Sequence, residues 1–234
     1  ISQEFKTTFA ARSLMSYLNK FEIETSYGIK AWKRWGNTAE QIIKSNPYVL
    51  CIQGVDLSFS RADAVAAKSD IPADSECRIK AGITYILRQN ADQGHTCLPL
   101  DSLVKTAVSY LDVDDKLIKK VIEDETEEEN LYYYDKHGRR FVMLTDFYKA
   151  EDYIARRLAI MRQISYDNKI DFSEVIDLEE ENNGIQYEKI QREAINLALS
   201  KGFLVLTGGP GTGKTTTLNA IISLYQQQGL NVMI

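Results

Sequence analysis

One stretch, LVLTGGPGTGKTTTLNAI at residues 204–221, limits what this chain can fold into more than any other. The apolar run FLVLT before it predicts a strand. Gly208, Gly209, Gly211 and Gly213 then allow a loop whose backbone a residue with a side chain would follow only under strain. A helix is expected from about Lys214 to Gln228, stopped by Gly229, and LNVMI starts a second strand. Strand, glycine loop, helix and strand form the opening βαβ of a parallel α/β sheet. The spacing Gly208-x-x-x-x-Gly213-Lys214-Thr215 fits the P-loop pattern in full, with a strand before it and a helix after it.

Each residue type in that pattern has a chemical reason. Glycines let backbone N–H groups turn inward around a phosphate, and the positive end of the following helix faces the same anion. Lys214 supplies a flexible charge that reaches the outer phosphates, and the Thr215 hydroxyl suits Mg²⁺, a small hard cation. The expected ligands are ATP and Mg²⁺. Gly208, Gly209, Pro210, Gly211, Thr212, Gly213, Lys214, Thr215 and Thr216 would hold the nucleotide, with Lys214 and Thr215 as the catalytic pair and Thr215 as the metal ligand. Gln191, on a helix expected at 187–200, is a further candidate. A carboxamide offers the donor and acceptor that adenine presents side by side.

Upstream the pattern is mainly helical. Phe9, Leu14, Tyr17 and Leu18 recur at helical spacing, as do Ile29 and Trp32 ahead of a stop at Gly36-Asn37. A helix at 38–45 ends at Asn46-Pro47, where Asn46 can cap the next turn. Ser60 and Asp63 have the spacing of a capping box before an Ala-rich helix. Helices at 75–91, 101–111 and around Leu117–Ile122 are followed by LYYYDKHGRRFVML, which reads as two strands about a turn at Asp135–Gly138. Three helices and a hairpin resemble a winged-helix unit. A helix near 146–164 leads into the acidic stretch 165–185. The expected partition is therefore 1–72, 73–165, an acidic linker at 166–185, and 186–234 as the first part of a P-loop domain.

Composition excludes several classes. With 44% hydrophobic and 26% charged residues the chain is ordinary for a globular protein, and no apolar run of about 18 residues predicts a membrane span. Three separated cysteines, Cys51, Cys77 and Cys97, make neither a zinc pattern nor a disulfide framework and fit a reducing cytoplasm. His95 has no metal-ligand spacing to Cys97. A net charge of −5 argues against a uniformly basic nucleic-acid binder, although residues 1–50 carry seven Lys/Arg against four Asp/Glu. The first residue is Ile1, not Met, so the sequence reads as the middle of a longer protein.

QREAINLAL followed by FLVLTGGPGTGKTTT closely resembles the adenine-contacting motif and first phosphate motif of superfamily 1 RecD-like DNA helicases. IKAWKRWGNTAEQIIKSNPYVL, SFSRADAVAA and GHTCLP resemble the helix-hairpin-helix region that precedes the motor in the long N-terminal branch of that family. The resemblance implies an ATP-dependent helicase moving 5′ to 3′ on single-stranded DNA. It implies adenine contact at Gln191 and phosphate and Mg²⁺ binding at Lys214 and Thr215. It also implies DNA-backbone contacts near the hairpins, for which Lys30, Lys33, Arg34, Arg61 and Lys68 are the candidate cations. The sequence departs from the family at Asp56-Leu57-Ser58, where a Gly-hydrophobic-Gly hairpin is common. An aspartate there would repel phosphate, which suggests packing or a protein partner for that hairpin. Two alternatives stay open: a protein-docking role for the N-terminal region, and another ATPase class for the P-loop. The polarising acid and arginine finger of such motors are not found in the sequence, so the chain by itself is expected to be inactive.

Overall fold

Apolar side chains at helical spacing build the first of two compact units, Ile1–Lys149 and Ala150–Ile234, in a computed structural model that describes residues 2–164 and 172–233. Helices α1 (Ser2–Asn19), α2 (Thr25–Trp35), α3 (Ala39–Ser45) and α4 (Phe59–Ala67) bury Leu14, Leu18, Ile43, Phe59 and Val65, while Phe9 stays exposed. Asn46 caps the short 3₁₀ turn at Pro47–Cys51 as expected, accepting from Tyr48 N at 3.0 Å. The expected capping box at Ser60 and Asp63 does not form. Helix α4 starts at Phe59, and Asp63 instead accepts from the Tyr48 hydroxyl at 2.5 Å and pairs with Arg78 at 2.7 Å. A half-buried carboxylate gains more from a guanidinium fork than from a backbone N–H on the surface.

Beyond α4 the order is α5 (Glu76–Asp92), β1 (Cys97–Pro99), α6 (Leu100–Leu111), α7 (Asp115–Glu127), β2 (Leu131–Lys136) and β3 (Arg139–Leu144). The antiparallel sheet runs β1-β3-β2, so a short strand between α5 and α6 closes against the hairpin. This is the layout of a winged helix. Ile118, Val121 and Ile122 of α7 lie on one buried face. Asp112 ends α6 in the left-handed region and Asp114 opens α7 by accepting from Lys116 N, making the tight bend of a helix-turn-helix. Gly82 of α5 lets Leu111 approach so closely that a Cβ would lie 2.6 Å from its Cδ2.

Helix α8 (Thr145–Gln163) crosses from the first unit into the second, which continues with α9 (Ser173–Asn183), α10 (Lys189–Ser200) and α11 (Lys214–Gln227). Within the stretch read as an acidic linker, α9 is a packed helix. It buries Ile176 and Glu179, while Asp177 and Glu180 pair with Arg192 of α10. Residues 165–171 lie outside the described ones. Ile176, Ile195, Leu199, Ile221 and Leu224 form a small core.

The helical first unit with its three-stranded sheet, followed by a P-loop region, is the fold class expected. The two strands expected around the P-loop are not formed among the described residues. Residues 203–209 and 230–233 belong to neither a helix nor a strand. A strand exists by pairing, and these two stretches do not pair with each other.

Candidate phosphate-binding site

The glycine loop leads from residues 203–207 into the start of α11, and its glycines explain its path. Gly211 and Gly213 have φ of 77° and 76°, which favours glycine. A Cβ on Gly208 would lie 2.6 Å from the Thr212 hydroxyl, and one on Gly213 would collide with the Gln191 amide. Thr212 Oγ1 donates to Gly209 O at 3.0 Å and fixes the turn.

Lys214 Nζ folds back over this loop and donates to Gly208 O at 2.6 Å and to Gly209 O at 2.5 Å. It forms no ion pair among the described residues, so only carbonyl dipoles face its charge. Gly213 caps α11 without a side-chain bond, and the first turn holds no acidic residue. The leading N–H groups of the helix therefore face the loop side without a carboxylate to meet them. Thr215 and Thr216 are exposed there, whereas Thr217 is buried and donates to Gly213 O at 3.1 Å. A cation, helix N–H groups and a hydroxyl converge with no anion of the chain's own, an arrangement that fits a polyphosphate. Thr215 is the residue of this set that suits Mg²⁺, and no group of three or more His, Cys, Asp or Glu among the described residues could hold another metal.

Gln191 stands beside the same loop. It is the third residue of α10, and its Oε1 accepts from Glu188 N at 2.8 Å in a capping box while its amide nitrogen lies against Gly213. The cap locks the side chain's orientation and leaves Oε1 one lone pair. The Glu188-x-x-Gln191 spacing was readable beforehand but was not recognised as a cap, because glutamate is an uncommon N-cap residue.

Of the candidate DNA cations, Lys30 and Arg61 both lie 5.6 Å from the Tyr27 ring centre, and Arg34 lies 5.9 Å from that of Trp35. Lys30 donates to Val55 O at 3.1 Å and lies 3.6 Å from Asp56, and Arg61 pairs with Glu24 at 2.9 Å and donates to Glu22 O. Lys33, Arg34 and Lys68 are exposed. Asp56 adopts φ 64°, the conformation a glycine would take, and its carboxylate accepts from Gly54 N at 3.1 Å. The hairpin's own side chain thus holds the hairpin's N–H. The cysteines are all free, and burial pushes the Cys51 thiol up to about 12. No described helix is long and apolar enough to cross a membrane.

Loop, lysine and helix together define a P-loop nucleotide-binding class of protein. Residues 191–234 match a family described as an AAA domain, and residues 7–97 match one described as the ATP-dependent RecD2 DNA helicase HHH domain. The ATP-dependent RecD2 DNA helicase of Deinococcus radiodurans is 24% identical over 232 residues, covering 94% of this chain and 32% of the relative. The RecBCD enzyme subunit RecD of Mycobacterium tuberculosis is 58% identical over 38 residues, 16% of this chain and 7% of the relative. The chain is thus similar to a RecD2 helix-hairpin-helix domain in its first part and to an AAA domain at its end. It spans about a third of the length of that RecD2 relative.

Proposed function

We propose that this chain supplies the accessory region and first nucleotide-binding segment of an ATP-dependent DNA helicase that translocates 5′ to 3′ on single-stranded DNA in the cytoplasm. The observation that carries the reading is that Lys214 and Gln191 both lie against one glycine loop, in a chain aligned over 94% of its length with a RecD2 helicase. In this reading Gly208, Gly209, Pro210, Gly211, Thr212 and Gly213 wrap the phosphates, joined by the N–H groups of Lys214, Thr215 and Thr216. Lys214 exchanges its two carbonyls for phosphate oxygens, a swap favoured because a charged acceptor binds an ammonium more strongly than a neutral one. Thr215 ligates Mg²⁺, which when bound neutralises charge developing on the transferred phosphoryl group. Gln191 pairs with adenine. Residues 1–72 and 73–165 act as accessory domains, and 186–234 as the start of the motor.

Hydrolysis needs positioning groups beyond this set, so the chain alone should turn over ATP negligibly. In the full-length parent, Lys214→Ala should lower DNA-stimulated ATP hydrolysis by about a hundredfold or more. Near-normal turnover would refute the assignment.

A second reading has its own observation. Because Asp56 already occupies Gly54 N and faces Lys30, the hairpin at 52–57 serves a protein partner or internal packing rather than DNA. Lys33, Arg34 and Lys68 are then the cations of that region left for a DNA backbone. The salt titration described next separates the two.

A further inference from the structure

The β2–β3 hairpin carries charge that neither the fold nor the nucleotide site uses. Residues 134–140 are all exposed, and the strands are joined by His137 and Gly138 alone, both at positive φ (51° and 74°), as a tight I′-type turn requires. A two-residue turn makes the finger narrow and stiff. At its tip Lys136 and Arg139 stand directly opposite in register, an arrangement of like charges that costs stability. Neither forms an ion pair among the described residues. Arg140 is set in place by Asp135 at 3.1 Å and by the Tyr133 ring, 4.8 Å from its centroid. β1 pairs only with Phe141, Val142 and Met143, so Arg139 and Arg140 lie beyond it in the two-stranded, projecting part of the hairpin.

The second helix of the helix-turn-helix, α7, packs against β2 and carries lysines in its first two turns. Lys116, Lys119 and Lys120 are exposed in the first two turns of α7, and only Lys119 is paired, with Asp115 at 2.8 Å. Glu123 and Glu127 make the far half acidic, whereas in the N-terminal half, the end that enters a groove in helix-turn-helix proteins, three lysines outnumber the exposed Asp114 and Asp115. The tip 135–140, Asp-Lys-His-Gly-Arg-Arg, has no Phe, Tyr or Trp, and the exposed Tyr134 at its base is paired with Phe141 at 6.5 Å between ring centres, so the tip itself offers no stacking platform of the kind single-strand binders use.

We propose that the 136–140 finger and the first two turns of α7 form a contact for the phosphate backbone of double-stranded DNA. Lys136, Arg139 and Arg140 track phosphates, and Lys116 and Lys120 support the adjoining backbone. The contact is independent of base sequence. It rests on the reading of the chain as part of a DNA translocase, and it gives the accessory region a grip on duplex that the Asp56-filled hairpin lacks.

The test is fluorescence anisotropy of the full chain with a labelled duplex and a labelled single strand across a salt series. Lys136→Gln, Arg139→Gln and Arg140→Gln would be combined, and Lys33→Gln, Arg34→Gln and Lys68→Gln would form a second variant. All six side chains are exposed, and circular dichroism checks folding. The finger variant should bind duplex about tenfold or more weakly at low salt, with the slope of log affinity against log salt shallower by about 2 to 3. An unchanged slope in the finger variant, or a loss confined to single strand, overturns the inference. If the second variant alone weakens duplex binding, the finger is wrong while the helicase reading stands. If the wild-type chain shows no salt-dependent binding, the inference falls and protein docking gains. Nucleotide binding by the chain, abolished in Lys214→Ala, reports separately on the helicase reading.

Discussion

At the scale of single residues, the most consequential polar contact outside the P-loop is Arg78. Its guanidinium reaches Asp63 with both ends and donates to Ala73 O at 2.7 Å and Leu111 O at 2.8 Å, so one side chain joins α4, α5 and the end of α6. Burial pushes the Asp63 carboxyl up, but the hydrogen bonds from Arg78 and Tyr48 outweigh it and hold the group below its ordinary value of 3.8. The pair is half-buried, so removing one member leaves the other poorly solvated. Arg78→Ala should cost about 2–4 kcal/mol at neutral pH, measured by urea unfolding. The pH dependence follows from the lowered folded-state value. Asp63 stabilises the fold in full above about pH 5, and this contribution fades as pH falls through the lowered value, because the unfolded chain takes up the proton first. In Arg78→Ala that acid-side loss should shrink. An equal loss in both proteins would show that the pair does not set it.

At the scale of elements, close helix approach competes with helix propensity. Gly82 lies inside α5, where alanine would be favoured by about 1 kcal/mol on propensity alone. The Leu111 methyls at 2.6 and 2.8 Å from the added Cβ cannot both move aside in a core where Leu111 is 1% exposed. Gly82→Ala should therefore destabilise by about 1–3 kcal/mol, seen as a lower urea midpoint with an unchanged slope. A gain in stability would mean that α6 shifts freely. These elements also show what the sequence could tell. Helices α5, α6 and α7 and the hairpin were legible because apolar spacing and Gly138 encode them locally. Strand β1, only three residues long, was not, since Cys-Leu-Pro has no alternation and exists through pairing with β3. Helix α9 was hidden because its acids read as solvated, while their partners, Arg192 and Gln227, come later in the chain. Asp63 was misassigned for the same reason: Arg78 lies 15 residues away. The phosphate loop was legible in full as a pattern because positive φ and close approach leave glycine little competition. The lysine's fold back onto two carbonyls was not, since a side chain's resting partners are set by three-dimensional proximity.

At the scale of the whole molecule, the two units have cores of different kinds, and backbone pairing differs with them. The first buries side chains from seven helices and a sheet, with Leu14, Ile43, Leu103 and Ile118 fully inaccessible. The core of the second is drawn chiefly from α9, α10 and α11, and its stretch 203–209 forms no strand, with Val205 64% exposed. Local opening is easiest where few apolar contacts and solvent-facing backbone coincide. Amide hydrogen exchange followed by mass spectrometry should therefore show slow exchange in α5–α7, faster exchange in α10 and α11, and near-unprotected amides over 203–209. Adding a non-hydrolysable ATP analogue with Mg²⁺ should slow exchange at 208–217, because ligand bound only to the folded loop stabilises it by mass action. Residues 203–207 should stay fast under the same conditions, since a phosphate on the loop gives their backbone no ladder partner. Protection spreading through 203–207 on nucleotide binding would mean that the loop and its leading stretch order together. Uniformly slow exchange in both units before any ligand would contradict the difference between the cores.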